Sequence, residues 1–261
     1  FVEGENNFTY MTSRPNFAAE LDGDDVTSIT HNPYLFSVSK EKVIIWNLSD
    51  DSLGDIYQTL LPDTNQSFQR ICLSPNEKYL VISDDDGKLN LYSLSDTNGQ
   101  YAKIQTFNTN NEPKINMKFK NKSNDCFIVS GDKYINIYKI NTTTNEIENV
   151  SETIEEKHTD WVDDILFSLD DVYMFSASRD KTIQIYKKDG DNDFQYDHFQ
   201  TITSVEEINS ISLSYDMSFL IAGCETNIEK YLFDTGIGKY NDTPDFQANV
   251  NITPGSNYTC V

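Results

Sequence analysis

HTDWVDDILFSLDDVYMFSASRDKTIQIY, running from His158 to Tyr186, is the stretch whose reading decides the fold. An apolar run from Val162 to Phe167 leads into a polar turn at Ser168-Leu169-Asp170-Asp171. A second run, Val172 to Ser178, ends at a tight turn, Arg179-Asp180-Lys181. The third segment, Thr182 to Tyr186, alternates polar and apolar residues with period two, the pattern of a half-buried strand. Three short strands joined by tight turns make an antiparallel sheet.

The same pattern recurs outward from this stretch. Aromatics closing a short alternating strand stand at Trp46, Tyr92, Tyr138, Tyr186 and Tyr231, and the opening apolar residue of each unit at Val26, Phe68, Ile115, Val162 and Ile208. Two independent rulers therefore agree on a period of about 46 residues, the length of a four-stranded propeller blade. Fourth, outer strands are expected at Ile56–Leu61, Ala102–Phe107, Glu146–Ile154 and Phe194–Ile202. Nothing reads as a helix.

The unit resembles the WD repeat, through His158 before the first strand, Ser176 in the second, Asp180 in the turn and Tyr186 closing the third. The resemblance implies an all-β propeller of four-stranded antiparallel blades over residues 20–261, with five complete repeats and partial terminal blades. Seven blades in the intact ring are favoured as the family's usual count, with six as the alternative. Residues 1–19 form an N-terminal segment, in which Asn7 to Thr12 is expected as an outer or closing strand. The chain reads as one domain of a longer polypeptide.

The resemblance also assigns roles. His158, Ser176, Asp180 and Tyr186 form a structural hydrogen-bond network, with tyrosine where the family places tryptophan. Asp86, Asp132 and Glu225 are the turn acids of other units. The candidate partner-binding surface is the top rim, with Trp161, Arg179, Asp85, Lys114 and Glu207, and Cys224 aligned to Arg179. A Ser/His/Asp set invites a hydrolase reading, but all three come from one blade, with no G-x-S-x-G elbow around the serine. Three histidines do not make a metalloenzyme. The loop at 189–193 lacks the sixth-position glycine and twelfth-position glutamate of a calcium loop.

Charge narrows the partners. Twenty Lys and Arg against 42 Asp and Glu give a net charge of −22, which disfavours nucleic acid and anionic lipid and would steer basic segments inward. No apolar run approaches the length of a membrane-spanning helix. Four well-separated cysteines favour a reducing, cytoplasmic setting. Nine Asn-x-Ser/Thr sequons, at Asn7, Asn47, Asn65, Asn121, Asn141, Asn149, Asn241, Asn251 and Asn257, keep a secretory alternative open. The sequence reading is a non-catalytic scaffold that binds a protein or peptide, with no cofactor and no metal. The alternative is a propeller enzyme or secreted glycan-binding propeller. It would show itself by charged or metal-binding residues converging on the central channel from several blades, and none is legible in the sequence.

Overall fold

A computed structural model describes residues 10–12, 34–48, 54–109, 116–149, 154, 157–190, 192 and 194–249. Among them are five antiparallel sheets and no helix. The first sheet contains β1 (Tyr10–Thr12), β2 (Tyr34–Val38), β3 (Val43–Asn47) and β4 (Ile56–Leu60). The second contains β5 (Phe68–Leu73), β6 (Tyr79–Asp84), β7 (Leu89–Leu94) and β8 (Tyr101–Phe107). The third runs β9 (Asn116–Phe119), β10 (Cys126–Gly131), β11 (Tyr134–Asn141) and β12 (Glu146–Asn149). In the fourth are β13 (Val162–Phe167), β14 (Tyr173–Ser178), β15 (Thr182–Lys188) and β16 (Tyr196–Thr203). The fifth has β17 (Ile208–Leu213), β18 (Phe219–Cys224) and β19 (Asn227–Asp234), with an outer strand in two pieces, β20 (Lys239–Tyr240) and β21 (Phe246–Asn249). Strand order follows chain order within each sheet, and the first strands of successive sheets neighbour one another. This is a β-propeller seen from its inner edges outward.

The sequence explains the gradient across each blade. Second strands such as β6 (YLVISD) and β10 (CFIVSG) are near-continuous apolar runs and are buried at every position. Outer strands alternate, β8 burying Tyr101 while exposing Ala102, Ile104 and Thr106 to differing degrees. Each hydrophobic cluster is shared by two neighbouring blades. Phe36 and Ile45 of the first pack with Leu80 and Tyr92 of the second, and Phe175 and Ile185 of the fourth pack with Leu220 and Tyr231 of the fifth.

A second recurring device fastens the outer edges. The pairing of third with fourth strands slips at Ile45/Trp46, Leu91/Tyr92 and Ile185/Tyr186, so that Tyr57, Ile104 and Phe199 bulge out. A glutamine follows each bulge. Gln58 donates to the Tyr101 carbonyl at 2.8 Å and accepts from the Tyr101 amide at 2.8 Å. Gln105 accepts from the Ile147 amide at 2.6 Å. Gln200 donates to the Tyr240 carbonyl at 2.7 Å and accepts from its amide at 3.1 Å. Each side chain thus completes the backbone of the next blade's outer strand. Within a blade, Tyr101, Tyr196 and Tyr240 donate their hydroxyls to the carbonyls of Glu77, Asp171 and Met217. Those three residues hold the left-handed turn between the first two strands, at φ 60°, 60° and 58°.

Two expectations change here. The inner strand of the first sheet is Tyr10–Thr12, paired antiparallel with Tyr34–Val38, and not an outer strand. Val26–Ile29, expected in that place, lies outside the described residues, as do Ile115, the partial unit after residue 249 and hence the choice between seven and six blades. The outer strand of the fifth blade, which the sequence reading left unassigned, is broken between Tyr240 and Phe246.

Replacing Gln200 by alanine strands the Tyr240 amide and carbonyl at a buried position, and should lower stability by about 1–3 kcal/mol. Urea unfolding of Gln200→Ala measures this. Gln200→Glu, which keeps the acceptor but not the donor, should lie between it and the parent.

Candidate functional site

Three groups of residues merit description, beginning with the network in the fourth blade. His158 is buried, its Nε2 lying 2.7 Å from Ser176 Oγ and its Nδ1 2.9 Å from Asp180 Oδ2. Asp180 also accepts from the Thr159 amide at 2.9 Å, the Thr182 amide at 2.9 Å and the Thr182 hydroxyl at 2.6 Å. Burial pushes the Asp180 carboxyl upward, but the bonds from His158, Thr182 and the Thr159 amide outweigh it and hold the pKa down at about 2. The chain continues through Thr182 to Gln184, whose carbonyl accepts from Thr201 at 2.6 Å. Tyr186, expected as the last link, packs its buried ring edge-on to His198. Gln184 stands directly opposite Ser176. In the first blade the aromatic is Trp46, and its Nε1 does donate to Ser37 Oγ at 2.7 Å.

The other turn acids go separate ways. Asp86 is exposed and pairs with Lys88 at 2.7 Å. Its neighbour Asp84 braces the turn, buried and accepting from the amides of Asp86 and Lys88 and from Asn90. Asp132 sits at φ 48°, and its carbonyl accepts from the Val162 amide of the next blade at 2.7 Å. Glu225 is not a turn acid. The Glu225 amide donates to the Glu207 carbonyl just as that of Arg179 does to Trp161, so Glu225 takes the rim place assigned to Cys224. The turn there is one residue shorter, and Cys224, buried, pairs with Ile208.

The top rim is therefore Ser67 with Asp85, Trp161 with Arg179, and Glu207 with Glu225. Lys114 lies outside the described residues. Asp85 accepts from the Ser67 amide at 2.9 Å. Arg179 grips Asp163 through two bonds of 2.7 and 3.1 Å and lies 5.7 Å over the Trp161 ring. The bond to Asp163 keeps the guanidinium firmly charged.

The third group lies on the inner edge and was missed. β5, β13 and β17 each bulge in their first residues, which places Arg70, Asp164 and Ser210 at equivalent positions of three blades. Asp164 spans its neighbours. Its Oδ1 accepts from Asn116 Nδ2 of the third blade and from the Ile165 amide at 2.9 Å. Its Oδ2 accepts from the Ile211 amide of the fifth blade at 2.8 Å. Desolvation raises its pKa to about 6, against the lowering effects of the Ile211 amide and of Lys118. The side chain is still partly exposed, and Oδ2 has a second lone pair. Polar groups from three blades do converge here. The signal was the pair Asp163-Asp164 inside an otherwise apolar first strand, VDDILF, where only a bulge lets one carboxylate face the rim and the next the axis side. Among the described residues no group of three or more His, Cys, Asp or Glu could hold a metal ion. No helix there is long and apolar enough to cross a membrane.

Comparison with known proteins agrees with the geometry. Residues 150–187 match the family described as WD domain, G-beta repeat. No curated protein matches the sequence. Among solved structures, a Lactobacillus plantarum protein aligns over 81% of this chain and 68% of its own, at 17% identity and a TM-score of 0.65. One from Bacteroides fragilis covers 83% and 68% at 12% identity and a TM-score of 0.67, and one from Bacteroides uniformis covers 85% and 69% at 14% and 0.69. The two Bacteroides proteins bear the name "putative 6-phosphogluconolactonase". At such identities the likeness shows the fold. Their enzyme name nevertheless overturns the expectation of a non-catalytic scaffold. The inner-edge cluster itself brings one charged side chain, Asp164, together with amides of two neighbouring blades.

The low pKa of Asp180 fixes a pH dependence. A carboxyl depressed from 3.8 to about 2 on folding stabilises the protein above pH 4, and that share is lost as pH falls through 2. Thermal melts between pH 5 and pH 2 should show a steeper loss for the parent than for Asp180→Ala, at about one proton's worth. At pH 7 His158→Ala and Asp180→Ala should each cost about 1–3 kcal/mol.

Proposed function

Taking as premise a β-propeller with a WD repeat at residues 150–187, we propose that the chain is the propeller of a hydrolase, with Asp164 as its acid–base group. The observation that carries this is the Asp164 carboxyl, on a partly exposed residue and held between three inner strands, with a pKa raised by desolvation to about 6. A general base works best with a pKa near the operating pH, and a buried aspartate reaches that range only in such a setting.

The names of the Bacteroides neighbours support opening of a sugar lactone as the reaction class. Asp164 would take a proton from water as its oxygen adds to the lactone carbonyl carbon. The ring C–O bond then breaks, and Asp164 returns the proton to the departing hydroxyl. Lys118, whose charge reaches Asp164, would offset the negative charge developing on the carbonyl oxygen. With a net charge of −22 around the site, an unphosphorylated lactone fits better than a phosphorylated one.

A second surface belongs to the same proposal. Trp161 is braced by an arginine already committed to Asp163, and the adjoining rim residues Asp85, Glu207 and Glu225 are acidic. That combination favours a basic protein segment as partner, stacking on Trp161. The buried thiols Cys72 and Cys224, in no disulfide, favour a cytoplasmic setting.

Opening of δ-gluconolactone, followed by acid release above the spontaneous rate, tests the main proposal. The rate should rise with pH through about 6, and Asp164→Asn should lose about 100-fold or more together with that pH limb. A parent rate no faster than buffer for both δ-gluconolactone and its 6-phosphate would defeat the reading, provided circular dichroism shows the parent folded.

A further inference from the structure

The broken outer strand of the fifth blade leaves a cavity of about 470 Å3 against the fourth blade. Its origin is local. Asp245 caps the Leu232 amide with its side chain at 2.9 Å, so the chain between Tyr240 and Phe246 leaves the sheet edge and loops outward. Opposite, the β16 bulge pushes Phe199 into the space so vacated. Phe199 and Ile237 supply apolar lining, and His198, Lys239, Asp242 and Thr243 supply polar lining. Gln200, fixed by Tyr240, holds the Asp242 carboxylate at 3.3 Å, while Lys239 lies 5.5 Å over the Phe199 ring.

We infer that this cavity binds a neutral saccharide. Its size falls within the range of about 300–1,000 Å3 typical of small-molecule sites. In a molecule of net charge −22, the lining balances one lysine against one aspartate, so neither an anion nor a cation is preferred. A carboxylate acceptor, an ammonium donor and a hydroxyl in one lining suit a ligand whose groups donate and accept side by side, which is what sugar hydroxyls do. The exposed Ile237 among them suits the C–H face of a pyranose ring. The site lies on the outer edge, on β16 and the β20–β21 loop, and does not depend on the role given to Asp164.

Calorimetric titration of the whole chain with glucose, galactose and lactose tests it. Saturable binding of at least one sugar is expected, weakened about tenfold or more in both Asp242→Ala and Lys239→Ala, a loss of about 1.4 kcal/mol. Both side chains are exposed, so the variants should keep the parent's circular dichroism. No saturable heat with any of the three up to about 50 mM, a concentration well above a millimolar dissociation constant, would overturn the inference. So would unchanged affinity in both variants, or tighter binding of glucose 6-phosphate than of glucose.

Discussion

Each of the five described blades is a sheet with apolar side chains on both faces, and no such sheet can bury itself. The clusters around Leu80, Phe127, Met174 and Leu220 each take residues from two adjacent blades, so the core exists only as a series of seams. At roughly 25 cal/mol per Å2 of apolar surface, removing one blade would expose a neighbour's whole face and cost far more than any single polar contact described above. The polar devices do a different task. They set the angle and register at which faces already driven together will meet.

Those devices stand at three radii. Near the axis, the Asp164 carboxylate reaches from its own strand to Asn116 on one side and Ile211 on the other. At the top, turn carbonyls of Lys40 and Asp132 accept from the first amides of the next blades, Phe68 and Val162. At the outer edge, Gln58, Gln105 and Gln200 close the backbone of the following blade. Two such attachment points at different radii hold the seam between the first and second blades, that between the third and fourth, and that between the fourth and fifth. They fix each seam's orientation, which apolar contact, having no direction, cannot do.

The sequence disclosed what depends on local periodicity and hid what depends on registers between strands. Apolar runs near Phe68, Val162 and Ile208 begin β5, β13 and β17, and the aromatic ruler falls on third strands throughout. The bonds of His158 to Ser176 and Asp180 follow a familiar spacing, but Thr182 and Gln184 do not belong to it and went unnoticed. The glutamines had a visible sign, an apolar residue followed by Gln at 57–58, 104–105 and 199–200. Their purpose appears only once the bulge preceding each is known. Glu225 was misaligned for the same reason, since a turn shorter by one residue moves every later rim position.

Two aspartates of the fourth blade show how differently one sheet can hold a carboxylate. Asp180 and Asp164 are both held by three or more hydrogen bonds, yet their proton affinities move in opposite directions. Asp180 receives donors from its own turn and from a histidine, enough to outweigh burial, and its carboxylate is saturated. Asp164 takes two backbone amides and one side-chain amide, which do not compensate for its desolvation. A saturated carboxylate of low pKa has neither basicity nor a lone pair to offer a substrate, so His158, Ser176 and Asp180 resemble a triad in composition only. The Asp164 carboxylate, less fully compensated for its desolvation, keeps a raised proton affinity. The contrast follows the supply of donors, four to Asp180 and three to Asp164.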